Sequence, residues 1–493
     1  MFLFPRHIHS PGVWMSYSED LLNRLIERGM ALGADYVEAR YQEDRGFAIA
    51  LLNGRLTSVQ LYRVRGIGVR VLVNGSLGFA ASNSLEVEDL FKTVDNAFTR
   101  AKIASKLRKS PIEFSEERLG RSKYRVVEKK PLVDFKVEDA VRFLTEVYKA
   151  VAGEIKDAKL ASLVEVLRVH LQDKVVMTSD GGHVESYIPR LYVLASSTLL
   201  YQNRSLQRRR EFGATGGVEL LDEWKVASTV LDELKRLEKV LTKGVSPPSD
   251  KVDIVLGPEV VGLIVHESAG HPMEADRILG REAAQAGESY VKPEMIGAFR
   301  VGNQHATVIE DPTIPGSYGY YLYDDECVRA RPRYLYREGL VYEPLHNRHT
   351  ARIFGVKSNG AARAMDYASE PIIRMSNTYL EPGNMNFEEL IEDIELGVYV
   401  KSYMEWNIDD ARWNQRYVGL EAYLIRNGEL AEPVLNPVLE FTTGWFYSNI
   451  VGKDKNLEFY PGTCGKGEPS QGVPVWFGGP NVRLSKLKVG VLR

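Results

Sequence analysis

The chain contains 493 residues, more than one average hydrophobic core accommodates, so its length predicts two or three domains. With 44% hydrophobic and 26% charged residues, the composition is typical of a globular protein, and the formal net charge of −3 gives no general electrostatic basis for binding nucleic acid. No stretch approaches the roughly 18 consecutive apolar residues of a membrane-spanning helix.

The start of the chain and its cysteines bear on the cellular location. Residues 1–15 are predicted to form a flexible tail, too short and too interrupted for a secretory signal, and either Met1 or Met15 can be the true start. Only two cysteines occur, Cys327 and Cys464, so a disulfide framework is excluded and a reducing cytoplasm fits.

The first predicted unit is a compact α+β arrangement. Its elements are, in chain order, a helix capped at Ser18 and closed by Gly33, a strand over 36–41, a meander over 47–81 and a helix over 86–105. Asn53-Gly54 and Asn74-Gly75 each lie between β-rich runs and predict tight hairpin turns. The second helix is expected to cover one face of the meander.

The rest of the N-terminal region, which extends over 16–245, contains more strands and helices. The charged stretch 106–130 is predicted to be a loop or linker that can split the region into two subdomains. Beyond it the sequence predicts a helix over 137–152, strands over 161–200 that turn at 179–182, and a charged helix over 221–241. Basic residues at 123–130 and 204–210 are predicted to face solvent.

The stretch from Val245 to Asp250 is the clearest domain boundary, because it contains two consecutive prolines. The second domain, 251–493, starts with a strand over 252–256. Many short apolar runs between turn signals then predict a β-rich domain with few helices, one of them at 387–396. The predicted fold class is α+β, with an N-terminal helix and antiparallel-sheet region followed by a β-rich C-terminal domain.

A segment near the start of the second domain carries two imidazoles and a carboxylate, the groups that hydrolytic metal chemistry needs. An apolar helix with proline at its first position leads into His266, Glu267 and His271. The usual zinc-hydrolase motif has its histidines four residues apart, on one face of a helix. Here they are five apart, which on a regular helix separates them by about 140°.

Two local structures can bring these histidines to one ion. The last turn of the helix can widen to π geometry, or the helix can end so that His271 turns back. Gly270 tolerates left-handed dihedrals and Pro272 disfavours helical dihedrals at the residue before it. We therefore predict a helix that breaks at Gly270.

A catalytic zinc usually has three protein ligands and an open position, so a third donor is needed. Cys464 is a candidate, since it lies in the glycine-rich segment 459–467, predicted to be a loop, where its sulfur could approach an ion; a free thiol without function is the alternative. Cys327 is more typical of a small buried residue. Glu274 and Asp276 are close to the histidines in sequence and are weaker candidates.

Three adjacent carboxylates, Asp324, Asp325 and Glu326, could indicate a hard-metal site. A strand, however, directs successive side chains to opposite faces, so the three would rarely point at one ion. We predict a structural role for them, or a role as the hydrogen-bond acceptor of a ligand histidine.

Over most of its length, roughly 31–490, the chain resembles the TldD/PmbA family, specifically its TldD branch of zinc metallopeptidases. The blocks that carry this resemblance are, in chain order, 33–40, 66–71, 78–80, 266–276, 311–313, 319–326, 374–379 and 462–466. One departure is Cys327, where the family usually has glycine after the Asp-Asp-Glu sequence.

The resemblance implies a set of site residues and partners. The family's two histidines and distant cysteine correspond to His266, His271 and Cys464, as ligands of one zinc ion per chain, and its catalytic carboxylate corresponds to Glu267. The PmbA-like branch lacks these residues and is thought to be a non-catalytic partner. The resemblance also implies a homodimer or a heterodimer with a PmbA-like paralogue, an enclosed active site, and unfolded or small polypeptides as substrates.

The predicted function is therefore that of a zinc-dependent peptidase in which Glu267 acts as general base. Peptide could bind by adding a strand to an exposed sheet edge. The alternative is a non-catalytic peptide-binding or scaffold partner with a structural or absent metal. Nucleic-acid modulation is disfavoured by the charge balance, and neither a nucleic acid nor a membrane is expected as a partner.

Overall fold

The computed structural model describes residues 11–108, 110–282 and 287–492. The N-terminal strands are β1 (Tyr36–Leu52), β2 (Arg55–Val73), β3 (Ser76–Ser82), β4 (Arg121–Arg125), β5 (Lys159–Thr178), β6 (His183–Tyr201) and β7 (Arg204–Thr215). They form one seven-stranded sheet in the order β3-β2-β1-β5-β6-β4, with β7 also paired to β6. The helices of this region are α1 (Pro11–Ala31), α2 (Val87–Ser105), α3 (Val137–Val151), α4 (Glu219–Trp224) and α5 (Val226–Lys243).

The two predicted Asn-Gly hairpin turns are confirmed. Asn53 and Gly54 join β1 to β2, Asn74 and Gly75 join β2 to β3, and all four residues have positive φ, between 47° and 73°. Two consecutive residues with positive φ define the turn whose twist matches that of the flanking strands, and asparagine and glycine are the residues that adopt it most readily.

Several N-terminal predictions need correction. α1 begins at Pro11, which suits the first helical position, so Ser18 lies inside the helix and 11–15 are not a tail; residues 1–10 lie outside the described residues. The predicted linker 106–130 contains β4, which pairs in parallel with β6. The region is not divided there, because β1 pairs with both β2 and β5 in a single sheet.

The helices cover one face of this sheet, and the other face carries both polar and apolar side chains. Under α3 and α5 lie the apolar residues of β5, such as Leu163 and Leu167, in a buried cluster. Because side chains alternate along a strand, the intervening residues of β5, among them His170 and Lys174, point to the opposite face. This opposite face packs against the second half of the chain, where Lys174 forms a 2.7 Å ion pair with Asp325.

Glu165 breaks the apolar pattern on the helix-covered face. It is 1% exposed, its register neighbours are Leu51 and Ala195, and neither carboxylate oxygen has a hydrogen-bond partner among the described residues. Burial raises the pKa of Glu165 from 4.5 to about 8. The folded protein therefore keeps this carboxyl protonated at pH values at which the unfolded chain has already ionised it.

We expect Glu165→Gln to remove a pH-dependent destabilisation. Because the folded pKa lies above the unfolded one, the wild-type free energy of unfolding should fall between pH 4.5 and about 8, by about 1.4 kcal/mol per pH unit at most, and level off above. Urea unfolding at pH 5, 7 and 9 checks this. The free energy of unfolding of the variant, relative to that of wild type, should increase as the pH rises. Exposed Glu138 on α3 provides the control, and equal slopes for wild type and both variants would contradict the assignment.

The second half of the chain is rich in short strands, as predicted. Its strands are β8 (Lys251–Leu256), β9 (Val308–Glu310), β10 (Arg333–Arg337), β11 (Leu340–Val341), β12 (Ala362–Arg363), β13 (Ile372–Ile373), β14 (Asn377–Leu380), β15 (Leu396–Val400), β16 (Tyr403–Ile408), β17 (Asn414–Gly419), β18 (Ala422–Arg426), β19 (Glu429–Pro433), β20 (Pro437–Thr442), β21 (Ile450–Lys453), β22 (Glu458–Lys466), β23 (Gln471–Gly479), β24 (Val482–Lys488) and β25 (Gly490–Val491). Its helices are α6 (Pro258–Val265), α7 (Ala275–Ile278), α8 (Arg348–Phe354), α9 (Phe387–Ile391) and α10 (Thr443–Ser448).

Two six-stranded sheets organise this half, with the orders β11-β10-β9-β14-β23-β22 and β19-β18-β15-β8-β24-β21. α6 follows β8 and packs against β14, β22 and β23, so it is buried along its whole length. The predicted helix at 387–396 is too long, because α9 ends at Ile391 and Leu396 already begins β15. No helix of the described residues is long and apolar enough to cross a membrane.

Buried ion pairs connect the two halves. Arg208 of β7 is 4% exposed and pairs with Glu259 of α6 and Glu233 of α5, both at 2.8 Å, so the basic stretch 204–210 does not simply face solvent. Arg70 of β2 pairs with Glu326 at 2.8 Å. A buried charge is tolerated when it is paired in this way, and losing one partner is costly.

The three consecutive carboxylates have the structural role that was predicted. Asp324 accepts backbone N–H groups from Glu326, Val328 and Ala362, Asp325 binds Lys174, and Glu326 binds Arg70. Their other predicted role is wrong, since the hydrogen-bond acceptor of a candidate ligand histidine is Glu274. The adjacent Cys327 has φ of 59°, the left-handed conformation that glycine adopts most easily.

Candidate metal centre

The two histidines lie on either side of a π-helical turn. α6 ends at Val265, and residues His266–Gly270 continue it as a π turn in which the backbone N–H of His271 donates to the carbonyl of His266 at 3.2 Å. This wider turn brings residues five apart onto one face. The predicted break at Gly270 is therefore wrong, because the helix widens instead of ending and His271 keeps helical dihedrals (φ −63°, ψ −44°).

Gly270 is required by close packing and not by left-handed dihedrals. A Cβ atom at this position would lie 1.9 Å from Sδ of Met375, whose side chain is fully buried against the π turn. No side chain fits in that space without moving one of the two segments. The approach of Met375 thus depends on a residue without a side chain at the end of the turn.

We expect Gly270→Ala to destabilise the protein by about 1–3 kcal/mol, the usual cost of overpacking a buried site. The measurement is the free energy of unfolding of the metal-free protein in urea. Gly465→Ala is the matched control, because the nearest atom to a Cβ there is Oγ of Ser470 at 3.6 Å. Equal stabilities of the two variants would show that Met375 moves away without cost.

Three potential metal ligands converge at the π turn. The donor atoms of His266, His271 and Cys464 lie within 4.8 Å of one another, and all three side chains are buried. Sγ of Cys464 is 3.5 Å from Nε2 of His271, and the two imidazole rings are 5.1 Å apart and nearly perpendicular. Nδ1 of His266 is buried and has no hydrogen-bond partner among the described residues.

This donor set fits zinc. Two imidazole nitrogens and one sulfur are the soft and borderline ligands that zinc prefers in proteins, and three protein ligands are typical of sites that keep a position open. A buried ring nitrogen without a hydrogen bond is unfavourable unless something else binds there. The side chains present therefore match a metal ion better than they match an ordinary polar core.

Glu274 orients His271. Its Oε2 lies 3.1 Å from Nδ1 of His271, so a proton on Nδ1 leaves Nε2 free to face Cys464. Burial alone would raise the pKa of Glu274, but Lys466 and Arg277 hold it well below its ordinary value. The carboxylate is thus a permanent acceptor, although the sequence suggested it only as a weak candidate for a ligand.

The three donors are in, or close to, the protonation states that metal binding requires. Burial lowers the pKa of both His266 and His271, so the imidazoles are neutral at pH 7 and keep a lone pair. Burial alone would raise the pKa of Cys464, but His271 and Arg374 lower it from 9.0 to about 7. The thiol of Cys464 is therefore easier to ionise than a buried thiol without these neighbours.

Cys464 is held by a strand and not by the predicted loop. It lies in β22, where alternation directs Cys464 and Lys466 inward and leaves the residues between and beside them exposed. The guanidinium of Arg374, fully buried, donates to the backbone carbonyls of Cys464 and Gln471 and so fixes the β22–β23 hairpin beside the π turn.

Glu267 lies at the same turn but does not belong to the donor set. Its side chain is 4% exposed, and its Oε2 accepts a short hydrogen bond from Nη1 of Arg412. Arg412 belongs to the turn between β16 and β17 and has φ of 65°. Sequence reasoning missed this residue, because it is 145 positions away from Glu267 and no local pattern marks it.

Comparisons with protein families place this site in context. The family profile described as the PmbA/TldA metallopeptidase C-terminal domain matches residues 249–491, and the one described as PmbA/TldA metallopeptidase domain 1 matches residues 37–101. All three candidate ligands fall within the first of these matches.

Several curated proteins are similar over nearly their whole length. A metalloprotease of Archaeoglobus fulgidus is 31% identical over 92% of this chain and 99% of its own. A metalloprotease of Methanocaldococcus jannaschii is 29% identical over 93% and 97% of the two chains. A zinc metalloprotease TldD homologue of Saccharolobus solfataricus is 25% identical over 95% and 99%.

Solved structures show the same fold. TldE from Thermococcus kodakarensis matches with a TM-score of 0.74 at 17% identity, over 95% of this chain and all of its own. A Thermotoga maritima protein named as a modulator of a DNA gyrase matches with a TM-score of 0.75 at 18% identity, over 96% and 100% of the two chains. At such low identity these likenesses bear on the fold alone.

Proposed function

The chain belongs to the TldD/PmbA family of metallopeptidases, and from that premise we propose that it is a zinc-dependent peptidase that hydrolyses unfolded or small polypeptides. The proposal assigns the metal to His266, His271 and Cys464 and the general base to Glu267. Its strongest support is that two histidines and a cysteine nearly two hundred positions apart have their donor atoms within 4.8 Å of one another, next to a buried carboxylate.

Zinc bound by two imidazoles and one thiolate supplies a Lewis acid that polarises a peptide carbonyl and makes water a better nucleophile. The protein's own part is to hold these donors in their deprotonated forms and in a fixed orientation. Glu274 does this for His271 by accepting from Nδ1, and Arg374 does it for Cys464 by binding the backbone of its strand. Oriented donors of this kind bind metal more tightly.

Glu267 is the proposed general base. In this proposal its carboxylate accepts a proton from the attacking water and returns it to the leaving amine nitrogen. Arg412 keeps this carboxylate in place within a buried site, where an unpaired charge would be costly. The same arginine lies close enough to Glu267 to help stabilise the negative charge that develops on the substrate carbonyl oxygen.

The zinc dependence gives the test of this proposal. The purified protein, loaded with one equivalent of zinc, should cleave unfolded casein, lose that activity on treatment with a chelator and regain it when zinc is restored. A folded protein of similar size should resist cleavage, because an extended segment must reach a buried centre. A fully zinc-loaded protein that leaves casein and short peptides intact would contradict the proposal.

The proposed partners rest on the family alone. We propose that the chain acts as a homodimer or as a heterodimer with a PmbA-like paralogue. Sedimentation of the purified protein separates the two cases: a dimer of the chain by itself is expected in the first, and a monomer that dimerises only with the paralogue in the second.

A further inference from the structure

A second cavity, distinct from the metal centre, lies between the two halves of the chain. It has a volume of about 170 Å³ and is lined on one side by the face of β5 and β6 opposite the helices and on the other by residues 318–325 and the β22–β23 hairpin. Thr463, the neighbour of Cys464 in β22, contributes to its wall opposite Pro474. Because adjacent residues of a strand point to opposite faces, Thr463 faces this cavity while Cys464 faces the metal centre.

Two buried arginines in this wall have no carboxylate partner. Arg190 of β6 is 3% exposed and Arg363 of β12 is 7% exposed, yet among the described residues no carboxylate oxygen lies within 4.0 Å of either guanidinium. Arg190 donates to the backbone carbonyls of Tyr318 and Tyr320, and Arg363 to those of Met375 and Pro474. Neutral carbonyls satisfy the N–H groups but do not neutralise the charge.

Arg190 also keeps an unused donor. Its Nη1 is buried and has no hydrogen-bond partner among the described residues. Burial, and then repulsion by Arg363, lowers the pKa of Arg190 to about 10, so it still carries its charge at neutral pH while being destabilised by its surroundings. Elsewhere at this junction the buried cations Arg208 and Arg70 have carboxylates at 2.8 Å or closer. Arg190 thus differs from these two arginines, and it shares its backbone-only hydrogen bonding with the buried Arg40 and Arg374.

We propose that this cavity is a binding site for an organic carboxylate, which pairs with Arg190 and Arg363. A guanidinium presents donors in a planar fork that a carboxylate matches with two parallel hydrogen bonds. The cavity is also lined by five tyrosines, Tyr124, Tyr318, Tyr320, Tyr321 and Tyr323, whose rings suit the organic part of such a ligand.

A singly charged carboxylate fits better than a phosphate. The wall includes the carboxylate of Asp325, whose pKa is held low by Lys174 and Arg40 although burial alone would raise it. Lys174 is already paired with Asp325, so the cations left for a ligand are Arg190, Arg363 and the exposed Arg168 of β5. A dianion would meet stronger repulsion from Asp325 than a monoanion does. The carboxylate can belong to a free acid or to the C-terminus of a peptide.

Direct binding measurements test this inference without requiring peptidase activity. Calorimetric titration of the zinc-loaded protein, in a Glu267→Gln background that prevents hydrolysis, compares four probes: benzoate, acetyl-trialanine with a free C-terminus, the same peptide amidated, and inorganic phosphate. We expect at least one of the two carboxylate probes to bind. If the natural ligand is the C-terminus of a peptide, the amidated peptide should bind at least about tenfold more weakly than the peptide with a free C-terminus. Binding of benzoate without the peptide acid assigns the site to a free acid.

Arginine variants show where the probe binds. Arg190→Gln and Arg363→Gln should each weaken carboxylate binding about tenfold or more, whereas Arg426→Gln, at an exposed pair with Glu432, should leave it unchanged. This dependence separates the cavity from capture of the carboxylate by zinc. Thermal unfolding verifies that each variant folds, and Arg363→Gln decides the question if Arg190→Gln does not fold.

The inference is overturned by any of three results. These are the absence of carboxylate binding at millimolar probe concentrations, binding that neither arginine variant weakens, and tighter binding of phosphate than of both carboxylates. Failure of the casein assay has no bearing on this outcome, because the titrations measure binding in a protein that cannot hydrolyse peptide.

Discussion

Glu267→Gln is expected to lower the rate of peptide hydrolysis by about 10²–10⁴-fold, the usual contribution of a general base, while the protein keeps its full zinc content. The reason is that glutamine occupies the same space and can still accept from Arg412, but it cannot take a proton from water. The measurement is kcat/KM on a quenched fluorescent peptide, with zinc content determined on the same sample. A loss in kcat with little change in KM would show that the missing interaction acts in the chemical step.

The matched control for this substitution is Glu421→Gln. Glu421 is also a buried carboxylate in an ion pair, with Arg236 at 2.7 Å and Lys401 at 3.2 Å, and it lies outside the metal centre. Its substitution should lower stability but leave the activity per folded, zinc-loaded molecule within a few-fold of wild type. Retained turnover in Glu267→Gln, or an equal loss in both variants, would rule out Glu267 as the base.

Cys464→Ser is expected to reduce zinc from about one ion per chain to a small fraction after dialysis, because two imidazoles alone form an incomplete site. Binding to the native state stabilises a protein, by about 4 kcal/mol when the free metal exceeds its dissociation constant a thousandfold. Zinc should therefore raise the unfolding temperature of wild type markedly and that of the variant little. Atomic absorption and calorimetric scans with and without zinc provide the two measurements.

The second cysteine of the chain serves as the control. Cys327 is buried, and its sulfur lies 3.6 Å from the backbone carbonyl of Val176, away from the histidines. Cys327→Ser should bind zinc with the same stoichiometry and show the same zinc-dependent stabilisation as wild type. Full zinc occupancy in Cys464→Ser would remove Cys464 from the metal ligands.

Local signals were sufficient for much of the N-terminal fold. The two Asn-Gly turns could be predicted because positive φ at consecutive residues restricts the choice of amino acid. Strand β4 was missed for the opposite reason. β4 is stabilised by parallel pairing with β6, a partner about sixty positions away, and its own sequence is charged and without an apolar pattern.

The candidate site was predictable in its residues but not in its geometry. The spacing of His266 and His271 allowed either a π turn or a broken helix, and Met375, more than a hundred positions later, fills the space beside Gly270 in the wider turn. The roles of Glu274 and Arg412 also depend on tertiary contacts. A carboxylate three residues after a ligand histidine can itself bind the metal ion, or it can accept a hydrogen bond from that histidine. Only the packing of Lys466 and Arg277 decides between the two roles.

X-ray absorption at the zinc edge of the loaded protein tests most directly whether these three side chains share one ion. We predict a first coordination sphere with one sulfur at about 2.3 Å and two imidazole nitrogens at about 2.0–2.1 Å, completed by a light atom from solvent. The sulfur signal should disappear in Cys464→Ser and persist in Cys327→Ser. A zinc sphere made only of oxygen and nitrogen in the wild-type protein would contradict the account.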